Sequence, residues 1–306
     1  MKKKFSLGAI LVAVLAVSTA YGGMTAQGKS GKTAVLISFD HQPGPADQAL
    51  VRGAGGDISH TFHLVPVIAA SLPEGAINGL RNNPKVTAIE IDGLVQATDA
   101  ELSNSWGVLR IGAGAVHDGG NKGFGVKVAI IDSGVDDSTS DLATITGGYD
   151  FVNGDNDPTD DMGHGTHVAG TIAALDDGLG VVGVAPDASI YALKVLDSTG
   201  SGSFSNIIAA LQWAVDNGIQ VTNNSYGSSL NPGSAVEAAF INSAAAGIIH
   251  VASAGNTGNR RGKGNNIGYP ARYASVIAVA ATDTSDDRAS FSTQAVPLSL
   301  LLRELR

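Results

Sequence analysis

The 306 residues contain no cysteine, which excludes disulfides, thiolate zinc sites and a cysteine nucleophile. Charge is scarce as well. Only 15% of residues are Asp, Glu, Lys or Arg, against roughly 25% in ordinary globular chains. A disordered polyelectrolyte needs high charge and few apolar residues, so the 43% hydrophobic content excludes that class and allows a sizeable core. Basic residues are the rarer sign, 19 against 28 acidic, for a net charge of −9. Without a basic surplus to meet phosphates, no nucleic-acid partner is expected. The apolar run Leu7–Val17 is too short for the ~20 residues a helix needs to cross a bilayer, so no stable membrane anchor is expected either. Glycine is abundant instead, with 40 residues, about twice the usual share.

The N-terminus places Lys2-Lys3-Lys4 before that apolar run and Ser18-Thr19-Ala20 after it. A positive segment, a short apolar segment and a small-residue cleavage site form the pattern of a secretory signal peptide. A signal over 1–20 and a secreted, extracellular location are the expectation.

Two regions follow. In residues 33–98 an apolar run at Thr33–Phe39 precedes a helical stretch near Pro45–Arg52 and an extended segment Ile58–Ala70. A helix from about Pro73 and an alternating strand Val86–Asp92 complete the region. That β-α-β-β-α-β order suggests a small ferredoxin-like α+β domain. From about Trp106 glycine-punctuated strands alternate with helices. Val126–Ile131 is a nearly continuous apolar run, as a strand buried on both faces requires. Helices are expected at Thr166–Leu175, Ser203–Asn217 and Ser234–Ala246, the last opened by a capping box of Ser234 and Glu237. Strands are expected at Ile190–Leu196, Ile219–Asn223, Ile248–Ala252 and Val276–Ala280. Such alternation implies an α/β fold, a doubly wound and mostly parallel sheet with helices on both faces.

In such sheets reactive residues gather beyond the carboxyl ends of the strands. Asp132 stands there, after Val128–Ile131, although a lone Asp after a strand is commonly a turn former. The segment Gly163-His164-Gly165-Thr166-His167-Val168-Ala169-Gly170 puts a histidine at the mouth of a helix between two glycines. The positive helix end disfavours imidazolium and keeps the ring neutral, as a general base requires. A zinc pair of His164 and His167 is disfavoured, because zinc-protease helices space histidines by four residues with a Glu between them. His167 is expected to be a packed or hydrogen-bonded structural residue. Ala254-Gly255-Asn256 ends a strand as well; it is either a turn or a side-chain amide aimed at a developing oxyanion. Asn224-Ser225-Tyr226-Gly227 could offer backbone edges to an extended peptide.

Taken together, Ile131-Asp132-Ser133-Gly134, the Gly163–Gly170 segment and Ala254-Gly255-Asn256 resemble the subtilisin-like serine proteases in type, order and spacing. The resemblance runs from about Trp106 to Ser292, and residues 33–98 resemble the family's inhibitory propeptide. It implies a serine endopeptidase hydrolysing polypeptide substrates. Asp132 would orient the imidazole, His164 would be the general base and Asn256 the oxyanion donor. Ser225, Tyr226, Gly227, Ala254 and Gly255 would form walls and strand-pairing edges of the specificity pocket. The propeptide would be an intramolecular inhibitor, joined near Ala97–Glu101 to a peptidase domain at 101–292.

The departure lies downstream. Ser275, Ser285, Ser290, Ser292 and Ser299 follow Asn256, and none stands in the Gly-Thr-Ser segment that carries the family's nucleophile. Residues 293–306 match nothing expected there. The expected reading is a preproprotease truncated or frame-shifted before its serine, C-terminally incomplete and inactive as written. The alternative is a short, non-catalytic pseudoprotease with a binding or inhibitory role.

Residues 132–177 contain eleven acidic side chains and no Lys or Arg. Most are expected to face solvent, with Asp155, Asp157, Asp160 and Asp161 exposed in one loop. The resemblance implies a calcium site here, since calcium prefers carboxylate and carbonyl oxygens. Asp141 and Asp177 would give side chains, and Leu175, Leu179 and Val181 carbonyls. One family ligand is unmatched, because its register falls on Leu102.

Overall fold

A computed structural model of the chain describes residues 27–28, 31–97, 106–138, 141–177, 180–258 and 266–293. The expected signal 1–20, residues 98–105, Leu179 and the tail beyond Thr293 lie outside the described residues.

The first region runs β1 (Gln27–Gly28), β2 (Lys32–Phe39), α1 (Pro45–Gly53), β3 (Asp57–Thr61), β4 (Val67–Pro73), α2 (Glu74–Arg81), β5 (Val86–Ile91) and β6 (Leu94–Ala97). Strands β3, β4, β2 and β5 neighbour one another in that order, all antiparallel. The expected extended segment Ile58–Ala70 is therefore two strands, broken by the loop at Phe62–Pro66. Strand periodicity explains the apolar run of β2. Val35, Ile37 and Phe39 point to α1 and α2, packing with Val51, Ile77 and Leu80. Leu36, between them, faces the opposite way into a second cluster. The inner strands β2 and β4 are thus buried on both faces, while the outer strands β3 and β5 are partly exposed.

The second region contains α3 (Trp106–Arg110), α4 (Ala113–Asp118), β7 (Lys127–Asp132), β8 (Gly147–Asp150), α5 (His164–Ala173), β9 (Ser189–Lys194), β10 (Ser201–Ser203) and α6 (Phe204–Asp216). It continues through β11 (Val221–Asn224), β12 (Tyr226–Gly227), α7 (Ser234–Ala245), β13 (Ile249–Ser253) and β14 (Val276–Val279). Six strands make one parallel sheet in the order β14-β13-β11-β7-β9-β8. The alternation of strands and helices thus yields the doubly wound α/β sheet that the pattern requires. On β7, Val128 and Ile130 face α5, against Ala169 and Ala173. Ala129 and Ile131 face α6 and α7. Beyond β11, Ile249, Ile277 and Val279 are exposed on the α5 side of the sheet, and no described helix covers them there.

The two regions share one core. Phe62, Val65, Val67 and Ala69 pack in the same cluster as Phe204, Ile207, Val236 and Phe240, each of the larger buried side chains contributing roughly 1.5–3 kcal/mol. Polar contacts fix the register. Gln212 Oε1 accepts the N–H of His63 (2.7 Å) and Leu64 (3.2 Å), and Asn242 Nδ2 donates to Leu64 O (3.0 Å).

The expected capping box of Ser234 and Glu237 does not form. Gly233 is the N-cap of α7 and Ser234 is the first helical residue, so its hydroxyl is misplaced for capping. Glu90 of the first region caps the helix instead, accepting from Ser234 N–H (2.6 Å), Ser234 Oγ–H (2.9 Å) and Ala235 N–H (3.1 Å). Gly233 has φ +88°, and a Cβ there would lie 2.5 Å from Glu90 Oε1. Asp92 does the same for α6, accepting Ser205 N–H at 2.6 Å. Strand β6 then runs antiparallel between β10 and β12, with Ala97 opposite Tyr226 and Gly202 opposite Val95.

Two buried groups set an acid response. His250 packs edge-on to Phe240, with Nδ1 2.7 Å from Thr222 Oγ1 and Nε2 2.9 Å from Ser243 Oγ. Burial pushes its pKa down to about 4. Burial pushes Asp92 the other way, up to about 6, against the opposing hydrogen bonds from Ser205. The depressed His250 contributes stability that is present above pH 6.5 and lost as pH falls through 4. The raised Asp92 contributes stability present below 3.8 and lost as pH rises through 6. The advantage of the wild type over His250→Gln should therefore shrink by about 3 kcal/mol between pH 7 and 4. Against Asp92→Asn it should grow over the same range. Denaturant titrations at several pH values test this, and parallel profiles for all three chains would contradict it.

Candidate active site

Asp132 ends β7, the third strand from one edge and the one next to which the chain reverses its direction of winding, from β8 and β9 on one side to β11 and β13 on the other. That switch point opens a crevice at the carboxyl ends of the strands. Helix α5 enters it. It begins at His164 and ends at Ala173, a frame earlier than the expected Thr166–Leu175, because Gly163 at φ +94° serves as its N-cap. His164 is thereby carried in the first turn.

The two side chains meet. His164 Nδ1 lies 2.7 Å from Asp132 Oδ1. The same oxygen accepts Ser133 N–H at 2.7 Å, while Oδ2 is buried with no hydrogen-bond partner among the described residues. Asp132 is fully buried and His164 keeps 12% of its side chain exposed. A ring nitrogen donating to a buried carboxylate leaves Nε2 as the basic nitrogen of the neutral ring, which suits a general base. Close approach needs glycine at 165, where a Cβ would overlap the Gly134 carbonyl oxygen and crowd Asp132 Cβ at 3.2 Å.

The other expected residues lie along the same sheet edge. β11 and β13 are the next strands beyond β7, and their carboxyl ends lead to Ser225 and to Ala254–Asn256. Gly255 has φ +107° and its carbonyl accepts Thr293 N–H at 2.9 Å. Ala254 is buried, donating to Val279 O and accepting from Gly268 N–H. Tyr226 turns its ring into the core and donates its hydroxyl to Asn224 Oδ1 at 2.8 Å. Burial first, and then the charge of Asp132, hold that phenol far above its ordinary pKa. Only the backbone of Tyr226 and Gly227 faces β6 in the ladder.

His167 is exposed rather than packed, since position 167 falls on the outer side of α5. Asp155, Asp157 and Asp161 are exposed as expected, but Asp160 is half-buried. The sequence pattern assigns no site role to Ser133, Asp160 or Lys194. Lys194 is fully buried beside Asp132 in the β7–β9 ladder, its Nζ donating to Ser133 O (2.6 Å), Leu196 O (3.0 Å) and Asp161 Oδ1 (2.6 Å). An isolated lysine closing an otherwise apolar strand, Ile190–Leu193, was the readable signal.

Asp141 and the loop after α5 also come together. Leu175 N–H donates to Asp141 O and Val181 N–H to Asp141 Oδ2, both at 3.0 Å. Gly180 has φ +57°, and a Cβ on it would lie 2.5 Å from Asp141 Oδ1. Asp177 is exposed in the same loop. Among the described residues no three His, Cys, Asp or Glu side chains cluster tightly enough to hold a metal by themselves.

The sequence profile of the Subtilase family, Peptidase S8, matches residues 123–300. Subtilisin E of Bacillus subtilis is 39% identical over 307 residues, covering 98% of this chain and 79% of the relative. M-protease of Shouchella clausii is 38% identical over 316 residues, covering 98% and 80%. An alkaline protease of Alkalihalobacillus alcalophilus is 42% identical over 245 residues, covering 80% and 62%.

The contact at Gly165 yields a direct test. Gly165→Ala should push α5 off the end of β7 and lower the unfolding free energy by about 1–3 kcal/mol, the usual cost of overpacking. Urea denaturation measures it, and a midpoint equal to that of the wild type would show that the approach of α5 to Asp132 is not so close.

Proposed function

The chain belongs to the subtilase family, a family of serine endopeptidases, and from that premise we propose that Asp132 and His164 are its carboxylate–imidazole pair and Asn256 its oxyanion donor. The observation that carries the proposal is the 2.7 Å contact between Asp132 Oδ1 and His164 Nδ1 at the sheet's switch point. Asp132 fixes the ring orientation and stabilises the imidazolium that forms when Nε2 takes a proton. The Asn256 amide, three residues beyond the end of β13, would meet the oxyanion of a peptide carbonyl. Ser225, Tyr226 and Gly227, with Ala254 and Gly255, would hold an extended polypeptide by backbone pairing.

The pairing of β6 with β10 and β12 supports an inhibitory role for residues 33–98. Leu94–Ala97 lies as an added strand between β10 and β12, the pairing an extended substrate would take over, and Glu90 and Asp92 anchor it on α7 and α6. Export with removal of residues 1–20 is part of the same proposal, resting on the Lys2–Lys4 and Leu7–Val17 pattern.

The 306 residues hold no Gly-Thr-Ser segment after Asn256, so as they stand they supply a base and an oxyanion donor without the family's nucleophile. The chain should neither hydrolyse casein nor be acylated by a fluorophosphonate probe. Fusion to the serine-bearing segment of a relative should create both activities, and Asp132→Asn or His164→Ala should abolish them. Stoichiometric labelling of the unfused chain would overturn the missing nucleophile. A fused chain that stays inactive would favour a non-catalytic binding role.

Calcium is proposed as a structural ion. The support is the Asp141 carboxylate, which accepts Val181 N–H and lies against Gly180. Asp141 and Asp177 would give side-chain oxygens, and Leu175, Leu179 and Val181 carbonyls; bound calcium would tie this loop to the β7–β8 connection that carries Asp141. A ligand bound only by the folded state stabilises it by about 2.7 kcal/mol at a hundred times its Kd. A chelator should accordingly lower the unfolding midpoint, and Asp177→Asn should remove most of that dependence. Identical midpoints with and without chelator would remove calcium from the account.

A further inference from the structure

Between the end of β7 and the first turn of α5 lies a hydrogen-bonded cluster with no role in the chemistry described so far. Ser133 is fully buried; its Oγ donates to Asp160 Oδ1 (2.8 Å) and accepts Gly165 N–H (2.9 Å). Asp160 Oδ1 also accepts Met162 N–H (3.0 Å) and Gly163 N–H (2.9 Å). Its Oδ2 accepts Thr166 N–H (2.9 Å) and Thr166 Oγ–H (2.6 Å). Residues 162, 163, 165 and 166 are each tied to this cluster, and His164 is the residue in the middle. On the opposite side, Ser133 is covalently next to Asp132 and gives it the N–H that accompanies His164 on Oδ1.

We propose that Ser133 and Asp160 are positioning residues that hold the His164 imidazole in hydrogen-bonding register with Asp132. The proposal rests on the reading of Asp132 and His164 as the catalytic pair.

The geometry is that of a clamp with two jaws. The Ser133 hydroxyl bridges them, since it takes one bond from the helix backbone and gives one to the loop carboxylate. Neither side chain can reach the reacting atoms through these bonds, so each acts through the backbone on either side of His164. Burial alone would push the Asp160 carboxyl up. The hydrogen bonds from Thr166, Met162 and Gly163 more than offset that, and hold it below its ordinary value. An ionised Asp160 at the N-terminus of α5 also suits the helix dipole. Lys194 supports the other jaw by its bond to Ser133 O.

The readout is the proton on His164 Nδ1, followed by nitrogen-15 NMR in the full chain, which needs no nucleophile. Asp132→Asn serves as the reference and should abolish the protected Nδ1 proton. Ser133→Ala and Asp160→Asn should each leave a folded chain whose Nδ1 proton exchanges with water about tenfold faster or more, the scale expected on weakening a charge-assisted hydrogen bond. Asp47→Asn, which removes the carboxylate that accepts Gly44 N–H before α1 in the first region, should lower stability without changing that exchange. Loss of the proton in the reference alone, with unchanged exchange in Ser133→Ala and Asp160→Asn, would overturn the positioning role and keep the pair. A proton that survives Asp132→Asn would instead overturn the pair. Equal acceleration in Asp47→Asn, or failure of both clamp variants to fold, would reduce Ser133 and Asp160 to structural residues.

Discussion

A carboxylate with no solvent contact, held at the end of the central strand, is the constraint on which this arrangement depends. Withdrawing such a group from water costs several kcal/mol unless donors replace the lost hydration. Asp132 finds two donors on one oxygen, the Ser133 amide and the His164 ring. To deliver the second, α5 must start in contact with the strand end. That explains a helix whose buried side is Gly165, Ala169 and Ala173 rather than larger residues. It also explains Gly134 at φ +106°, where a Cβ would press on the backbone of Pro158–Asp160. Small residues at these positions allow the backbone to come close, and the close backbone brings the two side chains together.

The same logic joins the two regions. A helix leaves four amides unsatisfied at its N-terminus, and that end favours an anion. α6 has its own cap, since Ser203 accepts Asn206 N–H at 3.2 Å, yet Asp92 adds a second acceptor there. α7 has no cap of its own and depends on Glu90. Both carboxylates sit at one end of β5, two residues apart, so a single strand presents them to two neighbouring helices. The apolar contacts of Phe62 and Val65 fall between the same helices. Charge and shape therefore select one docking geometry, and β6 is carried into its place between β10 and β12 as a consequence.

Much of this was legible in the residues, for reasons that differ by element. β7 and β2 are readable because a strand buried on both faces has no polar alternation to disguise it. His164 and Asp132 are readable because glycines flank one and a strand end precedes the other. α5 starts two residues before the expected Thr166 because Gly163 carries no capping side chain, and its cap, Asp160, comes from three residues upstream in a loop. The capping box at Ser234 failed for a related reason. The local pattern was correct, but a carboxylate 144 positions away in sequence occupied the same amides. Tyr226 shows the limit of reading a segment as a unit, because adjacent strand residues point to opposite faces. Its backbone pairs with β6 while its ring fills the core.

The acidic segment gains a different meaning from its hydrogen bonds. Eleven carboxylates without a single Lys or Arg among them would repel one another if the only remedy were ion pairing. Two do find cations from elsewhere, Asp161 with Lys194 and Asp176 with Lys122 at 2.8 Å. Most of the rest are met by backbone amides. Asp150 accepts from Val152 and Asn153, Asp155 from Asp157, Asp157 from Thr159, and Asp136 from Ser138. Each such bond requires the following two or three residues to hold a turn, so the charge of a loop and its conformation are coupled. A hydrogen bond to a charged group is worth about 1.5–3 kcal/mol when the group is buried and less when exposed. The half-buried Asp160, with five donors, is where that coupling is strongest. A lysine in its place would meet the same amides with the wrong charge, whereas a carboxylate locks the turn that delivers His164. The scarcity of basic residues from 132 to 177 is thus compatible with a rigid loop system, because the peptide backbone itself supplies the donors.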